Sequence, residues 1–117
     1  MYNVSITPEK LSGKVIVPPS KSVAHRLLIC AALSFGESKI TNMLMSKDIT
    51  ATINALIALG AEISVIGDTV TVHGITAPPK KAIINCCESG STLRFLIPVA
   101  CAFGASAEFT GEGKLPE

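Results

Sequence analysis

Tryptophan is absent from this 117-residue chain, and four phenylalanines and one tyrosine are its only aromatic side chains. So few flat rings leave little for nucleic-acid bases to stack on. Charge is scarce too: 16% of the residues are Asp, Glu, Lys or Arg, and the net charge is +1. With no basic tail and no Lys/Arg block, a nucleic-acid partner is not expected. The longest apolar stretch, around Phe95 to Ala105, falls short of the ~20 residues that a membrane span needs. No cationic, apolar, small-residue secretory pattern opens the chain, so a cytoplasmic protein without membrane attachment is expected. Cys86 and Cys87 are adjacent, a spacing that suits neither a zinc site nor a redox pair. Two histidines far apart in sequence add no metal-ligand set. The expectation is reduced structural thiols, no metal and no cofactor, with Cys30 and Cys101 as small core residues inside apolar helical runs.

Apolar residues are plentiful. They make up 48% of the chain, which excludes a disordered protein. A chain of this length makes one domain, able to bury about two-thirds of its unfolded surface. Three segments share one pattern, an apolar helix, a glycine stop and a short β-prone run. They are Leu27–Phe35 with Gly36 and Ser38–Thr41, Ile53–Leu59 with Gly60 and Glu62–Ile66, and Leu93–Phe103 with Gly104 and Ala107–Thr110. Glycine just past a helix adopts the left-handed cap conformation without steric cost. Asp48 reads as the cap of the second helix. Gly67-Asp68 between two β-branched runs predicts a hairpin. Tyr2–Thr7, Lys14–Val17 and Ala82–Cys86 are further predicted strands, and Pro98 is expected to kink or break the third helix. The order βαβαββ, repeated in part, predicts an α/β or α+β layer with helices covering a sheet.

The chemistry concentrates at Pro18-Pro19-Ser20-Lys21-Ser22-Val23-Ala24-His25-Arg26. Two prolines end any preceding helix, Ser20 or Ser22 is a natural N-cap, and the apolar run from Leu27 supplies the helix body. A helix start offers unpaired N–H groups and partial positive charge to an anion. Ser22 and Arg26 lie four apart on one face, with Lys21 beside them. The chain holds only two arginines, and the second, Arg94, follows Glu88-Ser89-Gly90-Ser91-Thr92-Leu93 at the start of another apolar run. An arginine among leucines must snorkel outward or find a partner, and its planar fork suits carboxylates and phosphates. Two such sites favour an anionic ligand over capping residues with ordinary surface charges.

Pro19-Ser20-Lys21-Ser22-x-x-x-Arg26 resembles the N-terminal signature of the 5-enolpyruvylshikimate-3-phosphate synthase family. Leu11-Ser12-Gly13, Asp48, Ala55-Leu56-x-x-Leu59-Gly60-Ala61, Ser89-Gly90-Ser91-Thr92-x-Arg94 and the closing Gly111–Glu117 are similar to that family in order and spacing. The resemblance implies transfer of an enolpyruvyl group from phosphoenolpyruvate to the 5-hydroxyl of shikimate 3-phosphate, with release of phosphate. It also implies a fold of repeated βαβαββ units, of which residues 1–117 would be the N-terminal portion. By position, Lys21 would lie between the two substrates, and Ser22 and Arg26 would hold the shikimate carboxylate. Gly90 would line the phosphoenolpyruvate pocket, and Arg94 would support that loop.

Two departures from the family pattern bear on these expectations. The glycine loop carries Glu88 where the family commonly has asparagine, and a carboxylate beside an anion pocket must point away or pair with a cation. Family members run to several hundred residues, and their acid/base groups correspond to positions beyond Glu117. The 117 residues alone are therefore expected to be inactive, and to self-associate through apolar surface meant for other segments. Two other readings stand beside this one. The sister family of UDP-N-acetylglucosamine enolpyruvyl transferases resembles Lys-Asn-Ala at the first motif, and often has a cysteine in the loop corresponding to Gly111–Glu117. A small anion-binding βαβαββ module is the other.

Overall fold

Ser20 and the apolar face behind it set the first element. The computed structural model describes residues 2–116, and helix α1 runs Lys21–Leu33, with the Ser20 side chain accepting from the Val23 N–H. Of the two candidate caps, Ser20 is used. Each helix begins several residues before its apolar run, because the first turn is fixed by a hydroxyl cap while the apolar run marks only the packed body. Helix α2 runs Lys47–Ala58 and is capped by Ser46, not by Asp48, which sits in its first turn. An acid there still suits the helix dipole. Helix α3 runs Gly90–Ala102, capped by Ser89. It continues through Pro98, whose missing N–H leaves the Arg94 carbonyl without its helical donor.

Five strands accompany the helices: β1 (Glu37–Ile40), β2 (Glu62–Ile66), β3 (Thr69–His73), β4 (Lys81–Asn85) and β5 (Ser106–Thr110). β2 and β3 form the expected hairpin about Gly67-Asp68, with Val65 opposite Val70. β1 pairs antiparallel on the other side of β3, giving the order β1-β3-β2. β4 and β5 pair in parallel, Ile84 opposite Phe109, with α3 as the crossover between them. The fold is thus mixed α/β. Val70 and Val72 of β3 and Ile84 of β4 point into one core with Leu28, Ile49, Leu56, Leu59 and Leu96, all fully buried.

Two further expectations fail. Tyr2–Thr7 and Lys14–Val17 are not strands; no described residue pairs with them. β-prone side chains do not make a strand unless an edge accepts the backbone N–H and C=O groups, and no edge reaches this stretch. Tyr2, Leu11 and Ile16 are all more than nine-tenths exposed. The stretch lengthens the molecule, to a radius of gyration of 17.6 Å against about 13 Å for a compact chain of this size. Cys30 and Cys101 are not core residues either. Both are exposed, on helix faces turned from the core, and Cys86 is the buried thiol. Among the described residues no helix is long and apolar enough to cross a membrane.

Candidate functional site

Packing of α1, α2 and α3 brings three serine-capped helix starts toward one end of the molecule. Lys21 is the first residue of α1, and its Nζ donates to Asp48 Oδ2 at 2.6 Å, in the first turn of α2. With these side chains 56% and 32% exposed, water screens the pair and its worth is at most about 1 kcal/mol. The pair orients Lys21 across a hollow of about 200 Å³ lined by Pro19, Ser20, Ala24, Leu44 and Ser46. Arg26 lies one turn on. Its Nη1 donates to the Ser22 carbonyl at 3.0 Å, and its guanidinium sits 5.2 Å from the centre of the Phe95 ring. The cation–π contact ties α1 to α3 and leaves most of the guanidinium fork free.

The sequence-predicted residues are therefore not all gathered in one hollow. Lys21 lines the small one; Ser22, Arg26, Gly90 and Arg94 do not. Ser22 and Arg26 share the exposed face of α1. Gly90 opens α3 at the end of the β4–α3 loop, where an added Cβ would meet only Leu115 Cδ1 at 3.9 Å. Arg94 is exposed and snorkels outward; it makes no ion pair among the described residues. A larger hollow, about 390 Å³, has Asp48, Glu88 and Glu112 on its walls with Lys47 and Cys87. Three carboxylates against one lysine make it a poor anion site despite its size. Glu88 has no cationic partner among the described residues, and its carboxylate lies over Gly113. Within the described residues no group of three His, Cys, Asp or Glu side chains is placed to hold a metal ion.

Residue types alone did not mark His25, Thr52 and Thr92. His25 Nδ1 lies 2.7 Å from Thr52 Oγ1, which lies 2.7 Å from Thr92 Oγ1, and Thr92 Oγ1 donates to Ser89 Oγ at 2.7 Å. All four residues are buried. Burial pushes the His25 pKa below its ordinary value; Asp48 opposes the shift, while Lys21 and Arg26 add to it. A base with a lowered folded-state pKa takes up its proton first in the unfolded chain. Stability is therefore complete above about pH 6.5 and declines as the pH falls below it. Asp48→Asn removes the one opposing charge, so the His25 midpoint is expected to move further down, read by NMR titration of the imidazole. An upward shift would contradict this charge arrangement. Burial also raises the Cys86 thiol, with its neighbour Cys87 as a lesser cause, so Cys86 stays protonated.

Residues 6–117 match the family model described as EPSP synthase (3-phosphoshikimate 1-carboxyvinyltransferase). The chain is 52% identical over 118 residues to the 3-phosphoshikimate 1-carboxyvinyltransferase of Clostridium kluyveri, a match that takes in 100% of this chain and 28% of that protein. Against the protein of the same name from Clostridium beijerinckii, identity is 50% over 123 residues, covering 98% and 28%. Among solved structures, the EPSP synthase from Acinetobacter baumannii superposes with a TM-score of 0.69 at 28% identity, covering 88% of this chain and 24% of that one. The chain thus spans little more than a quarter of the length of these relatives.

Proposed function

This chain belongs to the EPSP synthase (3-phosphoshikimate 1-carboxyvinyltransferase) family, and we propose that it serves the transfer named by that family. The 5-hydroxyl oxygen of shikimate 3-phosphate would bond to the enol carbon of phosphoenolpyruvate, the bond from that carbon to the phosphate oxygen would break, and the hydroxyl proton would leave with the phosphate. The activity is assigned to a protein of the relatives' length. Both substrates are polyanions, so a site must offset their mutual repulsion before the reacting atoms can meet.

The observation that carries this reading is the start of α1. A serine-capped helix mouth presents Lys21 and Ser22, and Arg26 follows one turn later on the face that holds Ser22. In the proposed roles Lys21 touches both substrates, and Ser22 and Arg26 take the shikimate carboxylate. Gly90 lines the phosphoenolpyruvate side, and Arg94 supports that loop from its exposed position. The test is a coupled phosphate-release assay on the complete gene product, with shikimate 3-phosphate set against UDP-N-acetylglucosamine as acceptor. Release only with shikimate 3-phosphate is the expected result. Release only with the nucleotide sugar would move the protein to the sister activity, and release with neither would leave an anion-binding module.

We also propose that the protein is cytoplasmic and that residues 1–117 alone release no phosphate. Val4, Ile6, Val15, Val17 and Phe35 are all at least 80% exposed, far more apolar surface than an isolated domain tolerates. The 117-residue chain is expected to self-associate, seen as a concentration-dependent mass in light scattering. A monodisperse, strongly stable monomer would count against this.

A further inference from the structure

The polar chain through the core lines neither of the two hollows, and burial makes it costly unless every member is satisfied. His25 is 2% exposed, Ser89 3%, and Thr52 and Thr92 are fully buried. No buried side-chain nitrogen or oxygen among the described residues lacks a partner. Stability alone does not call for such a chain, because satisfied polar pairs exchange for apolar groups of the same shape at little net cost. A hydrogen-bond chain adds directionality, which apolar packing lacks.

Each hydroxyl carries one proton. Thr92 Oγ1 gives its proton to Ser89 Oγ, so it must accept from Thr52. The Thr52 proton is then spent, so Thr52 accepts from His25, whose Nδ1 must carry hydrogen. One order of donors satisfies every link, and it selects the Nδ1–H form of the imidazole. The two ends of this chain flank the proposed ligand positions. His25 precedes Arg26 and lies one turn past Lys21 and Ser22, while Ser89 caps α3 immediately before Gly90. Thr52, in the middle, belongs to the helix that carries Asp48.

We propose that His25, Thr52, Thr92 and Ser89 are positioning residues, holding the Lys21/Ser22/Arg26 face of α1 in register with the Ser89-Gly90 start of α3 so that acceptor and donor substrates meet at one distance. This rests on the reading under Proposed function. Displacements near 1 Å cost up to about a hundredfold in rate when two reactants must be aligned. The lowered His25 pKa keeps the imidazole neutral, with Nδ1–H as its single donor.

The test is Thr52→Val in the complete gene product, which deletes the central hydroxyl and nearly preserves shape. Calorimetric affinity for shikimate 3-phosphate alone should stay within about twofold, while kcat/KM for phosphoenolpyruvate at saturating shikimate 3-phosphate falls by about tenfold to a hundredfold. Thr52→Ser should recover most of the loss. Unchanged turnover in Thr52→Val would overturn the proposal, as would a parallel loss of binary affinity, turnover and melting temperature. A second readout needs no variant: nitrogen-15 NMR of the histidines in the parent protein at pH 7.5. His25 protonated on Nδ1 and bare on Nε2 supports the donor order; the reverse tautomer overturns it. If the parent neither binds shikimate 3-phosphate nor releases phosphate, the enzymatic reading fails instead, and the tautomer still tests the hydrogen-bond chain.

Discussion

Arg26→Ala is expected to weaken binding of shikimate 3-phosphate by about tenfold to more than a hundredfold, the equivalent of about 1.5–3 kcal/mol for a charge-assisted hydrogen bond. The guanidinium is held ready for that role. One N–H is committed to the Ser22 carbonyl and the cation sits by the Phe95 ring, which fixes its plane while other donors face outward. Arg26→Lys keeps the charge but loses the fork, and should recover only part of the affinity. Lys21→Ala should cost at least as much, for two reasons. It removes a cation from the helix mouth, and it leaves the Asp48 carboxylate unneutralised beside an arriving anion. Calorimetry on the complete gene product checks both variants. Parent-like affinity in both would remove α1 from the ligand site.

Gly74→Ala should be among the most damaging single changes to the fold, at about 3 kcal/mol, the upper end for forcing extra atoms into packed structure. Gly74 follows β3 where the chain passes the end of α1, and a Cβ there would overlap the Ser34 carbonyl oxygen. Neither side is free to yield. The Gly74 N–H bonds to the Gly36 carbonyl at 3.1 Å, and the next amide, of Ile75, bonds to the Ala32 carbonyl at 2.8 Å. Gly67→Ala is the matched control. Its Cβ would meet nothing within 4 Å, leaving only the left-handed backbone penalty of roughly 1–2 kcal/mol. Urea midpoints at constant m-value measure both. Equal shifts for the two variants would show that the close approach to Ser34 does not limit stability.

Features with a local cause were legible in the sequence. A serine cap at 20 or 22, the hairpin at Gly67-Asp68 and the strand Thr69–His73 each depend on neighbours a few residues away. The hairpin and strand lie where the sequence puts them, and the cap falls on the first of the two serines. Long-range pairing was not legible. Val15, Ile16 and Val17 have β-branched side chains, but whether they form a strand depends on an edge elsewhere. The misplaced thiols have a similar cause. Cys30 and Cys101 sit in apolar helices, and which side of a helix is covered is decided by its packing partners. At the candidate site, the spacing of Lys21, Ser22 and Arg26 was readable because one helix turn sets it. The link from His25 to Thr52 spans 27 residues and that from Thr52 to Thr92 spans 40. No spacing rule reaches that far. A histidine between Ala24 and Arg26 in a helix was the only hint, and it does not name its partner.

The contact between Lys21 and Asp48 ties one of the cations at the start of α1 to a carboxylate. Released by an incoming anion, the lysine gives up at most about 1 kcal/mol and gains a stronger charge-assisted bond. A singly charged ion such as chloride has little with which to compete for it, whereas a molecule bearing several negative groups can engage α1 at more than one point. The aspartate therefore acts as a threshold that discriminates by valence, and raising ionic strength should erode that discrimination before it unfolds the chain.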